Sequence, residues 1–504
     1  MVEAMAHPDS PMSSTDTATE EVRGGGLPRD LPRTVGFLGA AGVMIGVTIG
    51  SGIYKTPAEI AKVVDAPWQL VAAWVVGGLL SLFGALTYAE LASAFPRSGG
   101  LYNFLYQGLG PRVSFIFGWT YMLITKPLAA AGIAVVFAEY LGALAGPGYS
   151  AWMLAHVPGS GFFQMVIGDS WHHVLLVCVS LTVLTWINYL GMRLGSGVNL
   201  AMTIVKILCL VAIVLCALLV SLGVLTPAPV VLKSVESVSG VSLLALAPLM
   251  SSVLWTYDGW SDIGSIAGEV KEPRKNLPRI YLWGTVGLIV IYVAVNLAYL
   301  SAMSLAEMRG SEAVASDVMR RFLGPVGAGV VTLFVLLSTL GATHASVLTG
   351  ARVTFAQAQD GLLFSFLGHV HPTRQTPDVA LWSQLVLSCT CAVFFKQFDN
   401  LAGGFVFTMW IFYGLGGVAM MRLRTLRPDV ERPYRCPGYP VVPLLFIASA
   451  VGMTFLQIKD AVTAPVVEGQ MAPWLRTGIF LGVLVIGWPA YDLWKLLTRR
   501  KQPA

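Results

Sequence analysis

From residue 35 to residue 496 the chain is a succession of apolar runs, most of them twenty residues or longer. A run of that length crosses the ~30 Å hydrocarbon core of a bilayer as one α-helix. Twelve can be marked, over 35–62, 68–95, 113–145, 173–191, 196–222, 243–269, 279–303, 324–357, 378–396, 401–422, 441–458 and 475–496. Only 12% of the residues are charged, against roughly 25% in a soluble domain. The expectation is therefore an all-α membrane protein of twelve transmembrane helices, called spans 1 to 12 below. Residues 1–33 are rich in Ser, Thr, Pro, Gly and acids and lack an apolar signal-peptide core, so they read as a disordered tail. Residues 34–498 form the membrane domain and 499–504 a short C-terminal tail.

Charge placement orients these spans. With the N-terminus in the cytoplasm, the tails and even-numbered loops carry 21 Lys and Arg and the opposite loops 8. Lys55, Lys126 and Lys206 fall inside spans. The positive-inside bias thus puts both termini in the cytoplasm of a multi-pass cell-membrane protein, with Arg309, Arg320 and Arg321 running against it. The net charge of +5 is a topological signal, not a patch for nucleic acid. Of the cysteines, Cys178, Cys209, Cys216, Cys389 and Cys391 lie in spans and Cys436 in a cytoplasmic loop. That placement offers no extracellular disulfide and no metal-ligand spacing.

Two spans are weakened in their middles. Span 1 contains "GVTIGSGIYKTP", where Gly50, Ser51 and Gly52 stand about 15 residues in, or ~23 Å along a helix. Span 6 runs in the opposite direction and meets "WTYDGW" (Trp255 to Trp260), with Asp258 and Gly259, after a similar length. Unpaired backbone groups at membrane depth survive only where protein buries them or a cavity takes them. Broken helices at matching places in two groups of five spans are the sequence sign of an inverted repeat around a transported substrate. A break offers half-helix N–H donors to a carboxylate and loose carbonyls to an ammonium. An α-amino acid carries both groups on one carbon. Close helix packing through Gly46 and Gly50 is the alternative reading of span 1.

Several stretches in order, "TIGSGIYKTP", "GALTYAELASAFPRSGGLYNFL", "LWTYDGWSDIGSIAGEVKEPRKNLPR", "ITKP", "NLAMTIVKILCL" and "DVERPYRCPGYPVVP", resemble the amino acid–polyamine–organocation superfamily, in particular its L-type amino acid transporter branch. The resemblance runs from about residue 34 to 496. It implies a LeuT-like five-plus-five inverted repeat (about 35–222 and 243–422), two further helices at 441–496, helices 1 and 6 unwound at the midplane, and secondary transport of amino acids by alternating access. Carried over, Ser51 and Gly52, beside Gly50, would give backbone donors to the substrate carboxylate. The carbonyls of Thr48, Trp255 and Asp258 would take the ammonium, with Thr256 between them. Trp255 matches an aromatic that gates the pocket from outside. Asp258 stands where several relatives have a small residue, and its carboxylate could point into the pocket or away from it.

The same resemblance bears on ions and partners. Relatives place a lysine from span 5 where sodium-driven members of this fold hold their ion. Lys206 has the matching context and would bond to carbonyls around Thr48 to Gly50 and to a span-8 hydroxyl such as Ser338 or Thr339. A fixed ammonium ~4 Å from a sodium ion costs about 4 kcal/mol at an effective dielectric near 20. Sodium-independent exchange or proton-coupled uptake of neutral L-amino acids is the expectation. Animal L-type relatives bond a glycoprotein subunit through a cysteine between spans 3 and 4; residues 146–172 contain none, so no disulfide-linked heavy subunit is expected. The expected partners are an amino acid and the lipid bilayer, with no cofactor.

The other buried charges remain open. Lys126 before Pro127 matches a basic–Pro pair of relatives and could be structural or mechanistic. Glu139 has no partner nearby in sequence. Lys55 and Glu59, four residues apart, read as a local salt bridge. His344 reads as a satisfied packing residue or a proton sensor. Glu90 and Glu269 suit inner-gate salt bridges or a solvated face. A carrier of cationic amino acids or polyamines, or an amino acid sensor on a transporter fold, is the rival reading. A membrane enzyme would need a nucleophile–base pair or a metal cluster at one depth, which the seven histidines do not provide.

Overall fold

The computed structural model describes residues 32–146, 148–168, 170–228, 230, 246–466 and 471–499. The two expected tails, and the start of span 6 before Leu246, lie almost wholly outside them. Within the described residues the secondary structure is helical, apart from an isolated parallel bridge between Val35 and Val270.

Eleven helices among these residues are long and apolar enough to cross a membrane, one fewer than the apolar runs suggest. The difference is span 6. Its start lies outside the described residues; the described α-helix, Leu246–Tyr257, ends where Asp258 and Gly259 turn the chain into a 3-10 helix, Trp260–Glu269. Span 1 is broken as well: the helix Phe37–Thr48 ends and Gly52–Ala61 begins, with Ile49 to Ser51 between. The two interrupted spans are thus five apart, and they touch. Gly259 has φ +116°, and a Cβ there would lie 2.8 Å from the Thr48 nitrogen. Only glycine lets the second break press on the first.

Span 3 carries a smaller irregularity. A π turn, Tyr121–Thr125, separates Pro111–Thr120 from Lys126–Ala145. Pro127 has no N–H to continue the ladder, and a π turn absorbs that gap. The long helix Val314–Gln359 is two helices meeting at Gly324 (φ 70°, ψ −162°). Short helices Leu101–Leu109, Tyr149–His156, Ser160–Ile167 and Leu305–Arg309 fill stretches between spans.

The surface is the reverse of a soluble protein's. Leu208, Val290, Val386, Phe394, Phe455 and Val485 face outward, whereas Glu90, Lys126, Lys206, Glu269 and Arg352 are buried. Lipid accepts the first group, and the second group has to find partners inside the bundle.

Those partners close the face at which Val35 begins, the start face. Glu90 accepts from Arg424 Nε at 2.9 Å and Nη2 at 2.6 Å and from the Cys436 N–H at 2.7 Å. Arg432 stands 3.5 Å away. Glu269 accepts from Arg352 Nε at 2.8 Å, with both side chains 2% exposed. Glu90 thus ties span 2 to span 10, and Glu269 ties span 6 to span 8. On the opposite, far face the three arginines that break the charge rule are locally engaged. Arg309 donates to the carbonyls of Ala61 and Val64, capping the end of span 1. Arg321 reaches the Ala302 carbonyl and Glu307, whose carboxyl it holds below the usual range, and Arg320 pairs with Asp317. Arginine fits the loose carbonyls of a helix C-terminus.

Glu90→Gln keeps the size of the side chain but removes its charge. The expected loss is roughly 3 kcal/mol, the low end for breaking a buried pair because Arg424 keeps some contact with water. It should appear as a lower unfolding midpoint in detergent, and an unchanged midpoint would mean that this cluster does not hold the start face together.

Candidate functional site

The break in span 1 leaves polar backbone in the middle of the bundle. Gly50 N–H folds back to the Thr48 carbonyl at 2.8 Å instead of reaching Gly46. The Ser51, Gly52 and Ile53 N–H groups donate to no protein acceptor among the described residues. Ser51 is fully buried, and its hydroxyl also lacks a partner. Such a cluster of unclaimed donors at a helix N-terminus is suited to an anion.

Ser51 and Gly52 border a cavity with about 380 Å³ of unfilled space. All seven residues proposed from sequence for substrate, Thr48, Gly50, Ser51, Gly52, Trp255, Thr256 and Asp258, line it. Val47, Lys126, Ala129, Ile133, Asp262, Ser346 and Phe405 complete the wall. Lys126, Ala129 and Ile133 recur at helical spacing on one face of span 3. That spacing could have marked them in the sequence; Ser346 and Phe405 carry no such mark.

Lys126 and Asp262 are the main addition. The ammonium donates to Oδ1 at 2.9 Å and Oδ2 at 2.8 Å, and the side chains are 4% and 8% exposed. Asp262, four residues beyond Asp258, shares the cavity with it. Asp258 Oδ1 accepts from the Tyr413 hydroxyl at 2.6 Å, which also lies 2.7 Å from Ser261 Oγ. Asp258 has no ion-pair partner within 4.0 Å among the described residues. Since Lys126 and Asp262 cancel, Asp258 leaves the cavity net acidic when ionised.

Trp255 forms a wall between two spaces. It lines the inner cavity and also a wider far-face recess of about 940 Å³, with Glu59, Lys62, Asp460 and Arg476 on its rim. Its indole is 8% exposed and meets Phe398 and Phe405 edge-on, at 5.5 and 5.2 Å between ring centres. Edge-to-face aromatic contacts are favourable yet separable.

Three sequence expectations need correction. Lys206 does reach span 1, but its ammonium donates to the Gly46 carbonyl at 2.6 Å, not to Thr48 to Gly50. Gly46 is where the helix loses its regular donor, because Gly50 N–H has turned away. Neither span-8 hydroxyl receives that ammonium. Thr339 donates back to Val335 and Leu336, and Ser338 is buried nearby. The Thr48 carbonyl, proposed for the substrate ammonium, already accepts from Tyr292 Oη at 2.8 Å. Lys55 pairs with Glu139 of span 3 at 2.8 Å, while Glu59 pairs with Lys62. The far-face half of span 1 turns Lys55 toward span 3, so the four-residue spacing does not decide the partner. His344 takes both contacts from Asn188 Nδ2, at Nδ1 and at its carbonyl, each 3.1 Å.

The amino acid permease family matches residues 35–484. The chain is 29% identical to the b(0,+)-type amino acid transporter 1 of Mus musculus over 87% of its length and 84% of that protein's. It is 30% identical to the large neutral amino acids transporter small subunit 2 of Rattus norvegicus, over 97% of this chain and 85% of the relative. The Mus musculus protein of that name is 31% identical with the same coverage. With the broken helices and their shared cavity, these similarities place the chain in the amino acid permease family of the amino acid–polyamine–organocation superfamily, as a secondary amino acid transporter.

Proposed function

We propose that the protein moves neutral L-amino acids by alternating access, without sodium, as an exchanger or with a proton. The observation that carries this reading is the set of unclaimed N–H groups at Ser51, Gly52 and Ile53, of which Ser51 and Gly52 line a cavity that Trp255 separates from the far face. A substrate carboxylate would take those donors. Its ammonium would turn to carbonyls of the broken segments other than Thr48, with Asp258 as the acid of the same cavity. Trp255 would be the gate, closing over bound substrate and excluding water. The start face, with Glu90, Glu269 and their arginines, is then cytoplasmic, and the far face lies outside a cell membrane.

Lys206 supports sodium independence. Its ammonium lies against the C-terminal carbonyls of the first half-helix of span 1, where a cation would otherwise sit. A second cation ~4 Å from it would lose about 4 kcal/mol at an effective dielectric near 20, or roughly a thousandfold in affinity. One feature favours the second reading, a carrier of cationic amino acids or amines: Asp258 stands in the cavity without a cationic partner. Competition by arginine and putrescine against labelled alanine separates the two, because a neutral carrier should ignore both.

The purified chain, reconstituted alone, should exchange labelled neutral amino acids. Relatives named as small subunits imply a larger assembly for those proteins, but here the stretch between spans 3 and 4 has no cysteine. Flux that begins only when a second protein is added would contradict this. Replacing sodium by choline should leave exchange unchanged, and Lys206→Ala should reduce it by tenfold or more. Uptake that follows a sodium gradient would sink the assignment of Lys206.

Gly52→Val tests the carboxylate site. A Cβ at Gly52 would lie 2.8 Å from Thr256 Cβ, so it crowds the break at the substrate donors. Substrate affinity should fall by at least about tenfold, given roughly 1.5–3 kcal/mol for hydrogen bonds to a charged group. A monodisperse, folded variant with native affinity would place the carboxylate elsewhere.

A further inference from the structure

Two broad recesses open on the far face, with about 1150 and 1260 Å³ of space, and Glu139 of span 3 belongs to the walls of both. Lys55, on the second half-helix of span 1, lines the larger one. Its ammonium donates to Glu139 Oε2 at 2.8 Å and stands 4.8 Å from the centre of the Phe398 ring, at the start of span 10. Phe398 meets Trp255 edge-on, with the planes at 88°. A continuous series of contacts, Glu139 to Lys55 to Phe398 to Trp255, thus joins span 3 to the indole that closes the substrate cavity.

The rest of that half-helix is held by other elements. Thr56 lies 2.9 Å from the Thr256 hydroxyl of span 6, and Arg309 of the helix Leu305–Arg309 holds its last carbonyls. The Lys55 bridge is the hydrogen-bonded tie from Gly52–Ala61 to span 3 among the described residues. Its side chains are 20% and 40% exposed, so water can replace either partner at little cost. A partly solvated ion pair and a cation–π contact each bias an equilibrium by about two- to fivefold. That is a magnitude a transporter can make and break in every cycle.

We propose that Lys55 is the latch of the far-face gate. Its ion pair with Glu139 and its contact with Phe398 hold the second half of span 1 against span 3 while Trp255 is closed, and both separate when the cavity opens to the far face. The inference rests on the alternating-access reading, and it does not depend on which amino acid or ion is used.

The test is gate opening without substrate. Ala129→Cys places a thiol on the cavity wall, and a membrane-impermeant methanethiosulfonate is added from the far face of proteoliposomes. The rate is taken over that of the chain without this cysteine. Lys55→Gln and Glu139→Gln should each speed modification by about two- to fivefold. The double variant should be no faster than Lys55→Gln alone, Lys55→Arg should match the parent, and the exchange Lys55→Glu with Glu139→Lys should be slower than Lys55→Gln. Parent-like rates in both single variants, or effects that multiply in the double, would overturn the latch. Labelled amino acid exchange by the same parent vesicles reports separately on transport, so a failed latch and a failed transport reading give different results.

Discussion

A helix that breaks inside a membrane strands backbone groups that no water can take, and the settlement of those groups between residues 46 and 53 organises the rest of this molecule. On the carbonyl side, the Gly46 oxygen is taken by the Lys206 ammonium and the Thr48 oxygen by Tyr292 and by Gly50 N–H. The N–H groups of Ser51, Gly52 and Ile53 donate to no protein acceptor among the described residues. Two carbonyls of the break are thus served from neighbouring spans, while three of its donors are not. Spans 5 and 7 supply the two side chains that make this so, and Gly259 of the second break fits against Thr48 because it has no side chain.

Buried charge is distributed by the same logic. At the start face, Glu90 takes the fork of Arg424 and Glu269 the Nε of Arg352, and both serve as ties between spans. At the cavity, Lys126 and Asp262 neutralise one another across spans 3 and 6, which leaves Asp258 as the acid that a substrate would meet. At the far face, Lys55 and Glu139 are more exposed and correspondingly weaker. Tight buried pairs resist separation, whereas solvated pairs do not. The Glu269–Arg352 pair is therefore a fixed contact and the Lys55–Glu139 pair one that can move.

Much of this was legible in the sequence. Apolar length marked the spans, and glycine clustering with an acid marked both breaks, since few other causes put Gly50, Ser51, Gly52, Asp258 and Gly259 in the middle of greasy runs. The residues around those breaks do share one cavity. Span 6 is apolar along its length, yet its backbone is not one helix, as Tyr257 to Trp260 shows. Asp262 was passed over because an acid close behind a break has no helical register to assign it a face.

By itself the sequence determined an all-helical membrane chain, the depth of its two interruptions and the kinds of atom exposed there. Those properties follow from hydrophobic length and from local backbone preference, which act over a few residues. Only the tertiary structure decided which charge meets which. Lys55 bonds to Glu139, 84 positions away, and not to Glu59 at helical spacing; Lys206 caps Gly46, 160 positions away, and not the glycines of the break. A long side chain can satisfy its charge with any partner that helix packing brings within reach, and packing is set by the whole bundle rather than by the neighbours in sequence.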